Sequence, residues 1–241
     1  MGVGRHRGKP GVPDAVEQFE IGRRILGGDG DAIAGLELEA ITQAAGEPRR
    51  ARGELAGGRD VVLTREPGGT SIGEQVRTVL LDPANCAMLP ETEALLYSAA
   101  RAQHVGDLIR PALERGAVVI CDRFVDSTLA YQGGGRGLSM DELAVIQRFA
   151  TGGLLPSLRL LLDLPVEIGL ARRFGAGVDV NRLDQADVAF HRRVRAAFLD
   201  LARRDPESWA IVDAVDSEDE VEERILRTVA QRTGLGSLAR V

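Results

Sequence analysis

An Asp-Arg pair followed by hydroxyl, amide and glycine residues is the densest group of chemically useful side chains in this 241-residue sequence. Asp122 and Arg123 come directly after a continuous apolar run, residues 117–121. Arginine offers a planar fork of donors for phosphate oxygens, and aspartate offers oxygen ligands for Mg²⁺. Four residues with hydrogen-bonding groups for a sugar or base come next: Ser127, Thr128, Tyr131 and Gln132. These types predict a site for a metal-bound phosphate, and a structural ion pair beside a flexible loop is the alternative interpretation.

Short apolar runs alternate with helical patterns, and this alternation places the candidate residues at strand ends. Strands are predicted over residues 60–64, 117–121, 158–164 and 209–212. Helices are predicted over residues 71–81, 91–115, 139–151, 166–173, 188–204 and 217–232. Apolar runs without alternation are typical of strands buried on both faces, and strands separated by helices indicate a parallel sheet. We therefore expect an α/β fold in three layers, with ligands bound beyond the carboxyl ends of the strands.

The composition excludes several classes of protein. Hydrophobic residues make up 44% and charged residues 27% of the chain, which is typical of a globular protein and not of a collagen, a coiled coil or a disordered chain. The net charge of −6 argues against binding to a nucleic-acid polymer. Two cysteines are too few for a disulfide framework, so we expect a cytoplasmic location. The apolar runs are too short to predict a membrane span.

Several motifs, in order along the chain, resemble those of bacterial thymidylate kinases. Residues 122–137 (DRFVDSTLAYQGGGRG) are similar to the family signature. Residues 63–70 (LTREPGGT) resemble the second motif of the family, and residues 93–104 (EALLYSAARAQH) resemble the third. Further similarity surrounds Asp163 and residues 189–195 (AFHRRVR). The ordered set is far more specific than any one of its motifs.

The resemblance implies the fold, the reaction and the organisation of the chain. It implies a five-stranded parallel sheet with helices on both faces, as in P-loop kinases, and transfer of the γ-phosphoryl group of ATP to dTMP with Mg²⁺ as cofactor. Such a reaction depends on positioning and charge neutralisation, because the substrate phosphate is already anionic. The kinase-like domain is expected over residues 59–232, with a lid at about 172–186, after an irregular segment at 1–58 and before a tail at 233–241. Members often dimerise, so a homodimer is implied.

The resemblance also implies roles for individual residues. The catalytic residues would be Arg65, Asp122, Arg123, Arg172 and Arg182. Asp122 would in addition order the metal ion. The substrate-binding residues would be Tyr97, Arg101, Arg123, Ser127, Thr128, Tyr131 and Gln132. Arg101 and Arg123 would hold the dTMP phosphate. Tyr97 would stack on the thymine and Tyr131 would wall the sugar.

Three sites have competing interpretations. Tyr97 is equally well interpreted as a core aromatic residue. His104 and His191 are expected to be ordinary polar residues on helix surfaces. Residues 181–184 (NRLD) stand where the family has Asp-Arg-x-Glu, so the ion pairs of the lid are altered, and a solvated loop is the alternative.

The phosphate loop of the family, G-x-x-x-x-G-K-[ST], is not found in this sequence. The backbone N–H groups and the lysine of that loop hold the ATP phosphates, so no ATP-binding residues are assigned. Lys9 is the only lysine and no strand pattern precedes it, and residues 27–31 (GGDGD) carry neither Lys nor Ser/Thr. Residues 36–40 (LELEA) are the candidate for the first strand, with the loop deleted after them.

Two expectations follow from the missing loop. The chain is either a thymidylate kinase that holds ATP poorly, or a catalytically inactive dTMP-binding protein on a kinase fold. An altered reading frame over residues 1–58 is a further explanation of their departure from the family pattern.

Overall fold

The computed structural model describes residues 59–175 and 180–235 in full, and the backbone of Gln18–Ile21. The candidate strand at 36–40 and the glycine cluster at 27–31 lie outside the described residues. The boundary of the kinase-like domain at residue 59 stays a prediction.

A parallel sheet forms the centre of the molecule, which confirms the α/β class. Its strands are β1 (Gln18–Ile21), β2 (Val61–Arg65), β3 (Val118–Asp122), β4 (Leu158–Asp163) and β5 (Trp209–Asp213). Their order across the sheet is β2-β3-β1-β4-β5. The backbone of β1 pairs with β3 on one side and with β4 on the other. The segment expected to be irregular therefore contributes a strand at the middle of the sheet.

Helices connect the strands. The α-helices are α1 (Ser71–Leu81), α2 (Pro90–His104), α3 (Arg110–Glu114), α4 (Val125–Thr128), α5 (Met140–Thr151), α6 (Val166–Gly175), α7 (Val188–Arg204) and α8 (Glu218–Thr233). A 3₁₀ turn spans Pro83–Asn85, and π-helical turns span Val105–Ile109 and Leu129–Gly135. The helix predicted over 91–115 thus comprises α2, a π turn and α3.

Apolar side chains cover both faces of the sheet. On one face, Ile120 of β3 and Leu160 of β4 pack with Ile225 of α8 in one buried cluster. On the other face, Val119 of β3 packs with the apolar residues of α3 and the preceding π turn. Leu161 of β4 packs on this second face with α7. Neighbouring strand residues point to opposite faces, so fully apolar strands such as β3 need helices on both sides.

The three glycines at 133–135 lie in a tightly packed π-helical turn, so the alternative interpretation of a flexible loop is wrong. Each of these glycines lies against a side chain that a Cβ atom would meet at less than 3 Å. The partners are Met140 for Gly133, Ala197 for Gly134 and Phe190 for Gly135. These glycines let the backbone approach α5 and α7, which fixes the position of the preceding hydroxyl and amide residues.

Candidate active site

A narrow cavity lies at the carboxyl ends of β2 and β3. Its lining residues are Glu66, Tyr97, Arg101, Arg123, Ser127, Thr128, Tyr131, Gln132 and Leu183. All the residues predicted to bind substrate are in this set: Arg123 directly follows β3, and the others come from α2, α4 and the π turn after α4. The structure therefore brings together side chains that lie more than thirty positions apart in the sequence.

Arg123 occupies an unusual backbone conformation at the tip of β3. Its φ angle is 65°, in the left-handed region that non-glycine residues rarely adopt. Its guanidinium lies 4.9 Å from the centre of the Tyr131 ring and donates a hydrogen bond of 3.2 Å to the Tyr131 hydroxyl. A conformation of this kind costs about 1–3 kcal/mol and is concentrated at functional sites. The strain thus favours a role of Arg123 in binding or catalysis.

The guanidinium of Arg101 donates four hydrogen bonds to other groups of the protein. Arg101 is 1% exposed. Nε donates to Glu66 Oε2 at 2.7 Å, and Nη2 donates to the backbone oxygen of Phe124 at 2.8 Å. Nη1 donates both to Thr128 Oγ1, at 2.9 Å, and to Gln147 Oε1.

These bonds limit what Arg101 can offer a ligand. A guanidinium has five N–H groups, and four are used here, so one remains. Two hydrogen bonds from Arg101 to one phosphate are therefore not available in this arrangement, and the role of Arg101 in holding the phosphate stays a prediction. One hydrogen bond to a single acceptor is available.

His104 belongs to the buried network that holds Arg101. Its exposure is 0%, so the expectation of a surface residue is wrong. Nδ1 lies 2.9 Å from Glu66 Oε1, and Nε2 lies 2.6 Å from Thr64 Oγ1. The ligand atoms of Glu66, His104 and Cys121 lie within 4.8 Å of one another. Both oxygens of Glu66 and both ring nitrogens of His104 already have protein partners, so the geometry is that of a hydrogen-bonded network.

Glu93 joins three parts of the chain beneath the cavity. This carboxylate is 1% exposed and accepts a hydrogen bond of 2.7 Å from Gln132 Nε2. Its other oxygen lies 3.2 Å from Arg136 Nη2 and 2.6 Å from Arg182 Nη2. Burial opposes ionisation of Glu93, but hydrogen bonds from Arg136 and Gln132 and the charge of Arg182 hold its pKa below its ordinary value.

The other predicted catalytic arginines lie outside the lining of the cavity. Arg65, at the end of β2, is bonded to Glu74 at 2.9 and 3.2 Å and is partly exposed. Arg172 donates to the backbone oxygens of Ala214 and Val215, after β5. Arg182 reaches the cavity indirectly, through Glu93. The catalytic roles of these three residues stay predictions.

The two departures from the family pattern at 181–184 form a local turn. Asn181 Oδ1 accepts hydrogen bonds from the backbone N–H groups of Leu183, at 2.8 Å, and Asp184, at 3.1 Å. The Asp184 carboxylate pairs with Arg173 at 2.7 Å. Asparagine and aspartate are both suited to such turns, so the altered residues order this segment.

Asp122 has the chemistry that a magnesium ion requires. It is a buried carboxylate at the tip of β3, next to Arg123, and carboxylate oxygens are preferred ligands of Mg²⁺. Its backbone oxygen accepts from the N–H of Glu66, which ties the ends of β2 and β3 together. The residue at the predicted metal position thus fits the group.

Several residues of the site were missed by sequence reasoning. They are Glu66, Glu93, His104 and Gln147, whose polar side chains are all buried. Glu66, Glu93 and His104 stand inside the motifs that carry the resemblance, but a polar residue looks the same in sequence whether it faces solvent or a second polar group.

The similarity to known proteins agrees with this geometry. Residues 54–225 match the family model described as Thymidylate kinase. The chain belongs to the thymidylate kinase family. This confirms the family that the motifs indicated, and with it the kinase and phosphotransferase class.

Three curated thymidylate kinases illustrate the similarity. The thymidylate kinase of Thermomicrobium roseum is 56% identical over 174 residues, which cover 72% of this chain and 82% of the relative. That of Pseudomonas putida (strain GB-1) is 53% identical, over 70% of this chain and 80% of the relative. That of Deinococcus radiodurans is 53% identical, over 73% of this chain and 85% of the relative. Among the described residues of this thymidylate kinase family member, no helix combines the length and apolar character needed to cross a bilayer.

Proposed function

We propose that this chain binds dTMP in the cavity at the ends of β2 and β3 and accepts it as the substrate for a phosphoryl group from ATP. The observation that carries the proposal is the convergence of the predicted substrate-binding residues on one cavity, with the strained Arg123 in its wall. The names of the relatives support the same substrate.

The side chains divide the work of binding between phosphate, base and sugar. Arg123 supplies the positive charge for the substrate phosphate, because its guanidinium lies in the wall of the cavity and Arg101 has a single N–H left. Tyr97 offers an aromatic face to the base, and Tyr131, beneath Arg123, bounds the sugar. Holding the reacting groups in place is the main catalytic contribution in phosphoryl transfer.

Mg²⁺ is the cofactor of this proposal. Asp122 would hold it, and the ion would neutralise negative charge on the phosphate oxygens. Arg65 and Arg182 are proposed to assist charge neutralisation near the reacting phosphates once ATP is bound.

We propose that this chain binds ATP, the phosphoryl donor, with low affinity. The sequence has no G-x-x-x-x-G-K-[ST] motif, and the N–H groups and lysine of that motif are the usual cradle of ATP phosphates. We expect dTMP to bind more tightly than ATP, and calorimetric titration of the same protein with each nucleotide measures the difference. Tight ATP binding would contradict the proposal of an impaired donor site.

A coupled assay with ATP, Mg²⁺ and dTMP tests the activity itself. Turnover that is abolished in Arg123→Ala supports the kinase. The second candidate, an inactive dTMP-binding protein, is favoured by the missing motif, and dTMP binding without turnover would identify it. A folded protein that does not bind dTMP would exclude both.

A homodimer in the cytoplasm is a further part of the proposal and rests on the resemblance. Light scattering of the purified protein measures the oligomeric state directly. A monomer at micromolar concentration would contradict it.

A further inference from the structure

The orientation of one side-chain amide determines what the cavity offers to a base. Gln132 is 1% exposed and lines the cavity. Its Nε2 donates to Glu93 Oε1 at 2.7 Å. A carboxylate only accepts hydrogen bonds, so the nitrogen of the amide must face Glu93 and Oε1 must take the other branch of the amide. Among the described residues, none donates a hydrogen bond to that oxygen, so it is available to a ligand in the cavity that Gln132 lines.

Glu93 is itself held in place and held charged. Arg182 contacts the oxygen that Gln132 does not occupy, at 2.6 Å. Arg136 contacts both oxygens: Nη2 lies 3.2 Å from that same oxygen, and Nε donates at 3.3 Å to the oxygen that also accepts from Gln132. Burial raises and the surrounding donors lower the pKa of Glu93, with a net lowering, so the carboxyl is ionised at neutral pH. Glu93 therefore remains a hydrogen-bond acceptor for Gln132 at neutral pH.

We propose that Glu93 is a positioning residue for base specificity, which fixes the Gln132 amide so that the cavity presents a hydrogen-bond acceptor. This inference rests on the proposed function, in which the cavity binds a pyrimidine deoxynucleotide. Thymine and uracil carry an N–H donor at ring position 3, whereas the same atom of cytosine is an acceptor. An acceptor fixed in the cavity matches the first two bases and repels the third, and an unmatched buried polar group is costly.

Replacing the carboxylate by its isosteric amide tests the inference. In Glu93→Gln, Arg182 and Nη2 of Arg136 retain the amide oxygen, because they need an acceptor, so the new NH₂ group faces Gln132. Only the longer contact from Arg136 Nε, at 3.3 Å, is lost. The Gln132 amide then turns over and presents its NH₂ to the base. We expect the ratio of dCMP to dTMP dissociation constants to fall by about tenfold or more, measured by calorimetry.

Two controls separate this role from a merely structural one. The ratio of dUMP to dTMP dissociation constants should not change in Glu93→Gln, because both bases carry the same N–H donor. Arg136→Gln removes a cation from Glu93 and leaves the Glu93–Gln132 bond, so the dCMP to dTMP ratio should stay within about twofold of the unmodified protein. An equal loss of affinity for all three nucleotides in Glu93→Gln would overturn the inference.

An exchange of the two residues restores the predicted acceptor. In the double variant Glu93→Gln/Gln132→Glu, the new amide donates to the new carboxylate, whose second oxygen faces the base. Preference for dTMP over dCMP should return, and its absence in the folded double variant would overturn the inference even if the single variant fails to fold. An unmodified protein that does not bind dTMP would instead contradict the proposed function. One that binds dTMP but whose ratio is unmoved in Glu93→Gln would contradict only the role of Glu93.

Discussion

Arg123, at the tip of β3, differs from Arg172 and Arg173 of the predicted lid in what its guanidinium group contacts. Arg123 lies in the wall of the cavity, over the Tyr131 ring. Arg172 binds backbone oxygens after β5, and Arg173 binds Asp184. All three were singled out by resemblance or lie within the predicted lid, yet only the first lines the cavity. An arginine in a family motif is thus placed to meet a ligand only where the fold directs its donors towards one.

The largest effect is expected from breaking the buried ion pair that supports the strand-tip region. Glu66→Gln removes the charge that faces Arg101, and both side chains are at most 2% exposed. We expect unfolding free energy to fall by about 3–5 kcal/mol, because an unpaired charge stays buried. Urea denaturation measures the loss, with Glu74→Gln as control. The control breaks the half-exposed pair with Arg65 and should cost less than about 1 kcal/mol. Equal losses would show that burial does not distinguish the two pairs.

The second effect is the loss of dTMP affinity that we expect when Arg123 is removed. Arg123→Ala should weaken dTMP binding by about 100-fold, because hydrogen bonds from a charged donor to a phosphate are lost. Calorimetry measures the change. Arg148→Ala, an exposed arginine of α5, is the matched control and should leave the affinity for dTMP unchanged. A change of less than fivefold in Arg123→Ala would remove the main support for the phosphate site.

The third effect concerns Arg172, the arginine of the predicted lid that does not line the cavity. Arg172→Ala removes hydrogen bonds to carbonyl oxygens after β5, so we expect a loss of about 1–2 kcal/mol in unfolding free energy. Affinity for dTMP should change by less than about threefold, since the side chain contacts no cavity residue in the described structure. A loss of dTMP affinity as large as that of Arg123→Ala would break the comparison.

The smallest expected effect is on the pH dependence of stability, through His191 of α7. His191 is 1% exposed, contrary to the expectation of a surface residue, and burial lowers its pKa, against smaller raising effects of Asp184, Asp187 and nearby backbone oxygens. The unfolded chain therefore takes up a proton first, near its ordinary pKa of about 6.5. Stability is full above that pH and falls as the pH drops below it, towards the lowered folded pKa.

A matched variant isolates this contribution. In His191→Gln, the fall in thermal midpoint between pH 7.5 and pH 5.5 should be smaller than in the unmodified protein. Differential scanning fluorimetry at both values measures it. Identical pH slopes for the two proteins would show that His191 does not titrate on unfolding.

Much of the fold was predictable because its signals are local. Helices α1 and α7 occupy the predicted residues, and β3 and β4 are shifted by no more than one residue at an end. The apolar run before Asp122 was sufficient to indicate a buried parallel strand. The strand Gln18–Ile21 was missed, because a strand of only four residues carries little periodic signal.

The members of the site were more predictable than their contacts. The motifs indicated Tyr97, Gln132 and their neighbours, and all the residues predicted to bind substrate line one cavity. The motifs did not indicate that Arg101 would use four donors on protein groups, because Gln147 is forty-six positions away in the chain. Hydrogen bonds between distant residues depend on tertiary packing, which a single sequence does not display.

The position of β1 has a practical consequence for truncated forms of the protein. The part of the chain that matches the family model begins at residue 54, after this strand. A polypeptide trimmed to that match would lack the partner that joins β3 to β4, leaving two separate pairs of strands with open backbone donors and acceptors between them. Such a fragment should assemble with itself or precipitate, so the stretch least like the family is the one that cannot be removed.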